Sequence, residues 1–85
     1  MYDIYPANKK VEKFLGKLMK RRKDIIEKLT RLKDDSRRNL DAHPLHGHLA
    51  GKWSCWLGSN IRIIYVIDDE NKRVEIEAVG SHNIY

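Results

Sequence analysis

The order of hydrophobic periods along this 85-residue chain predicts an α+β fold: a helical hairpin packed on one face of a small, largely antiparallel sheet, in the order β-α-α-β-β-β. Three observations carry that expectation. Apolar residues between positions 11 and 32 recur at helical spacing, whereas positions 52–57, 61–68 and 73–79 switch to strand-like alternation or a continuous apolar run. No Pro-, Gly- or Ser-rich linker interrupts the chain and no internal repeat is present, so residues 1–85 are expected to form a single domain.

Tyr2-Asp3-Ile4-Tyr5 is short, β-prone and stopped by Pro6, which reads as a first strand with Pro6 at the approach to a helix and Asn8 as its cap. Val11, Phe14, Leu15, Leu18 and Met19 then fall on one helical face, and Ile25, Ile26, Leu29 and Leu32 continue it. Position 22, where an apolar residue would keep the stripe unbroken, is Arg. One long helix from about residue 7 to 34 and a hairpin turning at Lys20–Lys23 both fit this pattern. The hairpin is expected, because folding the stripe back on itself buries more of it in so short a chain. Asp24 and Glu27 would open the second helix as a weak capping box. Leu32 to Ser36 ends it, and Arg37 to Ala42 is a connector.

Beyond the connector, Lys52–Leu57 is a strand candidate closed by the turn residues Gly58-Ser59-Asn60. Ile61 to Asp68 is apolar on both faces except for Arg62, the mark of a central strand. Arg73 to Val79 alternates, with Val74, Ile76 and Ala78 on one face, Glu75 and Glu77 on the other, and Gly80 as its end.

The composition excludes several classes. No apolar run approaches the roughly 20 residues of a membrane span, and the N-terminal MYDIYP lacks the cationic flank and apolar centre of a signal peptide. A single Cys cannot form an internal disulfide, which fits a reducing cytoplasm. The net charge of +5 is uneven: residues 1–42 carry 13 Lys/Arg against 7 Asp/Glu, and residues 43–85 carry 4 against 5. Such a basic half favours polyanionic partners, nucleic acid first, or else simply solvates two helices.

Side chains able to do chemistry concentrate between His43 and Tyr65, which holds three of the four histidines, both tryptophans and the only cysteine. An Arg within the apolar strand IRIIYVI needs a reason to be desolvated. Binding phosphate is one, since the guanidinium fork matches phosphate oxygens; pairing with a carboxylate such as Glu75 is the other. His82, just past the last strand, has an intrinsic pKa suited to acid or base work, and Tyr85 can donate to a phosphate or stack on a base. His43, His46 and His48 lie in a loop broken by Pro44 and Gly47, and are candidates for proton transfer or RNA binding. Their spacing, with Cys55 nearby, matches no standard zinc pattern, so neither metal nor cofactor is expected. On an alternating strand Lys52, Ser54 and Trp56 share one face while Trp53, Cys55 and Leu57 share the other. Trp53 and Leu57 therefore go to the core, and Trp56 beside Lys52 is a stacking surface for a base. Cys55, mid-strand among apolar neighbours, is not expected to act as a nucleophile.

Taken in order, HPLHGHLAGKWS, GSNIRIIYVID and VEIEAVGSHNIY closely resemble the RelE/ParE superfamily of type II toxins, on the side of the ribosome-dependent mRNA interferases. The specific likeness covers about the last half of the chain. The resemblance implies a RelE-like toxin domain: a metal-independent endoribonuclease that enters the ribosomal A site, cuts mRNA, and is held inactive in a hetero-oligomer with a cognate RelB-like antitoxin. It implies catalytic roles for Arg62 at the scissile phosphate, for His82 and His43 as matches to histidines of the YafQ type, and for Tyr85 as a match to the C-terminal tyrosine of the RelE type. Lys52 falls near lysines that RelE uses, and His82 stands where RelE has an arginine. A ParE-like protein that binds DNA gyrase without nuclease activity, or an RNA-binding relative that has lost activity, would share the fold.

Overall fold

The computed structural model of the chain describes residues 1–58 and 60–81. Strand β1 (Asp3–Pro6) leads into helices α1 (Lys9–Arg21) and α2 (Lys23–Asp34), followed by β2 (His43–Pro44), β3 (Trp53–Trp56), β4 (Arg62–Asp68) and β5 (Arg73–Gly80). These strands form one sheet in the order β1-β5-β4-β3-β2. β1 runs parallel to β5 and every other neighbouring pair is antiparallel. The predicted hairpin on a largely antiparallel sheet is therefore present, with the two-residue β2 as an added edge.

The hairpin turns on one residue. Arg22 is extended (φ −133°, ψ 108°), and its backbone N–H still donates to the Leu18 carbonyl, closing α1 before α2 begins at Lys23. Asn8 caps α1 as expected, its Oδ1 accepting from Val11 N at 2.9 Å. Two local expectations fail. Pro6 is the last residue of β1 and not the opening of the helix. Asp24 is no cap, because the turn uses up only Arg22 and leaves Asp24 inside the first turn of α2. Its carboxylate instead takes both donors of the Arg22 guanidinium, at 3.2 and 2.7 Å.

The core lies between hairpin and sheet. Val11, Leu15, Ile25, Leu29 and Leu32 meet Cys55, Leu57, Ile63, Tyr65, Val74 and Ile76, all buried. Trp53 packs against this cluster while partly buried, as predicted for its face of β3. On β5 the predicted alternation breaks. Ile64 pairs with Ala78 but Tyr65 pairs with Ile76, so Glu77 is an extra residue. This bulge shifts the inward face by one position, and Val79 joins the core in place of Ala78. Tyr65 ties the layers together: its buried hydroxyl donates to the Ser36 carbonyl just past α2, at 2.6 Å. Among the described residues, no helix is long and apolar enough to cross a membrane.

Candidate active site on the open sheet face

With the hairpin on one face, the other face of the sheet is left to side chains of opposite parity. Arg62 lies on it, at the first position of the central strand β4, where the register sets it between Trp56 of β3 and Gly80 of β5. One step along, a second row runs His43, Ser54, Ile64, Ala78 across four strands. Strand spacings put the Cα atoms of His43 and Arg62 about 12 Å apart, a span that an imidazole and a guanidinium can close around one phosphodiester.

Arg62 is half-buried. Among the described residues it forms none of the ion pairs, and Glu75 in particular does not neutralise it. Among the described residues no carboxylate competes with an external anion for its fork. The lysine of this face is differently placed: Lys52 Nζ sits 2.5 Å from Glu77 Oε1, on the bulged residue of β5, so its charge is largely offset. An RNA role for Lys52 requires that pair to be shared or opened.

His43 is exposed, with Nδ1 3.0 Å from the Asp41 carbonyl. A carbonyl oxygen only accepts, so Nδ1 is the donor in this contact and Nε2 is the ring nitrogen left for a ligand. His46 and His48 are exposed in the 3-10 turn region 46–49 between β2 and β3. Among the described residues no group of three His, Cys, Asp or Glu side chains is arranged to hold a metal ion. Cys55 is fully buried, and burial pushes its thiol up to about 12, which agrees with its exclusion as a nucleophile. His82 and Tyr85 lie outside the described residues. The last described residue, Ser81, leaves β5 directly after Gly80, the register partner of Arg62.

Trp56 projects from the same face and remains 39% exposed. Its neighbourhood was not legible from sequence. Lys28, on α2, lies over the indole with Nζ 5.4 Å from the ring centroid, and the same Nζ is 3.4 Å from both Asp24 Oδ2 and the Leu57 carbonyl. The spacing of Asp24 and Lys28 is a readable i,i+4 pair. The meeting of Lys28 with Trp56 depends on how the hairpin sits on the sheet, which no local pattern encodes. A groove of about 380 Å³, lined by Ile4, Leu15, Met19, Ile26 and Leu29 among others, lies between the hairpin and β1, away from Arg62.

This architecture, two helices packed on a mixed five-stranded sheet, matches the fold of YoeB-like toxins. Among solved structures the chain is similar to the toxin of the heterotetrameric YoeB–YefM toxin–antitoxin complex from Staphylococcus aureus, with a TM-score of 0.75 at 18% identity over 96% of this chain and 98% of that one. It is similar to YafQ from E. coli, with a TM-score of 0.66 at 19% identity over 96% and 94% of the two chains. It is also similar to the conserved hypothetical protein HP0892 from Helicobacter pylori, with a TM-score of 0.69 at 25% identity over 96% of each. No family model matches the chain, and neither does any curated protein sequence. At these identities the likeness is one of fold.

Proposed function

We propose that this chain is the toxin of a type II toxin–antitoxin system, acting in the cytoplasm as a ribosome-dependent endoribonuclease that cleaves mRNA in the A site. The observation that carries the reading is Arg62: a guanidinium at the head of the central strand, on the sheet face opposite the hairpin, without a carboxylate partner among the described residues. Its neighbours suit the chemistry. The imidazole of His43 lies one row away with Nδ1 turned to the Asp41 carbonyl, and Ser81, next to the Gly80 partner of Arg62, precedes His82 in sequence.

RNA carries its own nucleophile. A base takes the 2′-OH proton, the 2′-oxygen attacks phosphorus, and the bond to the 5′-oxygen breaks as an acid protonates that oxygen. This leaves a 2′,3′-cyclic phosphate and a 5′-hydroxyl. Arg62 stabilises the extra negative charge on the pentavalent phosphate. His82 and His43 are the proton carriers, with His46 as the alternative to His43. Tyr85 positions the base or phosphate, while Lys52, His46, His48 and Trp56 hold the strand. No protein nucleophile and no metal enters the scheme. The partner is a RelB-like antitoxin in a hetero-oligomer; the toxin–antitoxin complex of the S. aureus protein with this fold supports that part of the reading.

The test is cleavage of a translated mRNA by Arg62→Ala and His82→Ala, with antitoxin binding measured alongside. Loss of at least about 100-fold in rate with binding intact is expected, in keeping with removal of one charge-stabilising donor or one proton carrier. Undiminished cleavage in both variants contradicts the assignment. Absence of cleavage by the folded wild type turns the reading toward gyrase binding or a non-catalytic RNA-binding relative.

A further inference from the structure

Trp56 and Arg62 are cross-strand partners, so their backbones lie one strand spacing, about 5 Å, apart and their side chains leave the same face. An exposed aromatic ring at such an edge is ordinarily free to turn between rotamers. Here it is not. Lys28 reaches from α2 across 28 positions of sequence to lie over the ring at 5.4 Å. Its ammonium is held by Asp24 and by the Leu57 carbonyl, both at 3.4 Å. Asp24 is fixed in turn by the two-pronged Arg22 guanidinium. Gly58, at φ +87°, closes the assembly from the β3–β4 turn: a Cβ there would collide with the Lys28 ammonium and stand 3.1 Å from an Arg22 nitrogen.

We infer that Lys28, with Asp24 and Arg22 behind it, is a positioning residue that holds Trp56 as the stacking platform for one unpaired RNA base next to the phosphate bound at Arg62. The inference rests on the RNA reading above and specifies what binds where. An indole offers a base-sized π face that stacks on any of the four bases, which grips single strands without reading sequence. The cation on one side orients the ring by its quadrupole and leaves the exposed remainder for the base. The surroundings suit a polyanion. The hairpin turn that carries Arg22 also bears exposed Lys20, Arg21 and Lys23, so the backbone of a strand running past Trp56 meets an excess of positive charge, the one carboxylate there, Asp24, being engaged by Arg22 and Lys28. The opposite corner of the same face, where Asp3 and Asp68 flank Arg73, lacks that advantage.

The test uses a Trp53→Phe background, in which Trp56 is the single tryptophan, and a 2′-O-methyl hexanucleotide that cannot be cleaved. Saturating oligonucleotide is expected to shield Trp56 from acrylamide quenching. Lys28→Met should cut that protection and raise KM for ribosome-dependent cleavage about 3- to 5-fold with kcat unchanged, and Lys28→Arg should restore both. Trp56→Ala should raise KM about 10-fold. Equal protection and equal KM in Lys28→Met and its parent overturn the positioning role. Absence of protection in the parent, with cleavage intact, overturns the platform and leaves the nuclease reading standing. Absence of both protection and cleavage overturns the two together.

Discussion

Arg62 and the clamp on Trp56 illustrate how differently two cations of one molecule are used. Arg62 has no carboxylate partner among the described residues and faces the open side of the sheet. Arg22 and Lys28 are both engaged by one carboxylate. The Arg22 hydrogen bonds, reinforced by the charge of Lys28, hold the Asp24 carboxyl below the usual range despite some opposing desolvation. Arg37 and Tyr2 do the same for Asp69. A carboxylate whose folded-state pKa is depressed adds stability above its unfolded pKa and loses it as pH falls through the folded value. The urea midpoint is therefore expected to hold from pH 7 to about 5 and to fall below about pH 4. The double variant Asp24→Asn, Asp69→Asn should show a shallower acid limb; an unchanged limb would place the acid sensitivity elsewhere. For Cys55, whose thiol is raised to about 12 by burial, alkylation at pH 8 should occur only after unfolding, which mass spectrometry in native and denaturing buffer reads directly.

Between elements, stability rests on how the hairpin meets the sheet. Ile25 and Leu32 of α2 are fully buried against β3, β4 and β5 side chains, and Leu32→Ala is expected to cost about 2–5 kcal/mol by urea denaturation. Tyr65→Phe deprives the buried Ser36 carbonyl of its donor, an expected loss of about 1–3 kcal/mol. Asn8→Ala removes the α1 cap, for about 1 kcal/mol. A Tyr65→Phe variant as stable as wild type would show that water replaces the phenol at Ser36. These elements were largely legible in the sequence, because each announces itself by a local period: the apolar stripe of α1 and α2 broken at Arg22, the alternation of β3, the unbroken apolar run of β4. What escaped was set by pairing. The bulge at Glu77 follows from the register of β5 on β4 and moved Val79, not Ala78, inward. β2 is two residues long, and its existence depends on β3 lying beside it. The Asp24 capping box failed because the turn proved one residue long, a length that the sequence KRRKD does not specify.

The whole molecule is polarised by the same architecture. Its basic residues are concentrated in the first 42 positions, on and around the hairpin, whereas the sheet half is nearly balanced. The hairpin turn brings part of that charge, Arg22 and Lys28, to the β3–β4 turn beside Trp56. Binding to ribosomes is then expected to weaken steeply between 50 and 200 mM salt, and neutralising Lys20, Arg21 and Lys23 together should flatten that slope. An unaltered slope would remove the turn from the interface. The candidate site was legible in its residue types and in the spacing of its motifs, but not in its assembly. Arg62 stood out in sequence as the one charge among the apolar residues opening a central strand, whereas its face, the salt bridge that occupies Lys52 and the cation over Trp56 depend on pairing and on contacts between segments 25 and more residues apart.

The central claim is that this chain cuts mRNA on the ribosome, and primer extension on a translated message, with and without ribosomes, tests it most directly. Cuts are expected within codons only when ribosomes are present, and none with Arg62→Ala. Cuts of equal strength on free RNA, or cuts that survive loss of the Arg62 guanidinium, would contradict it.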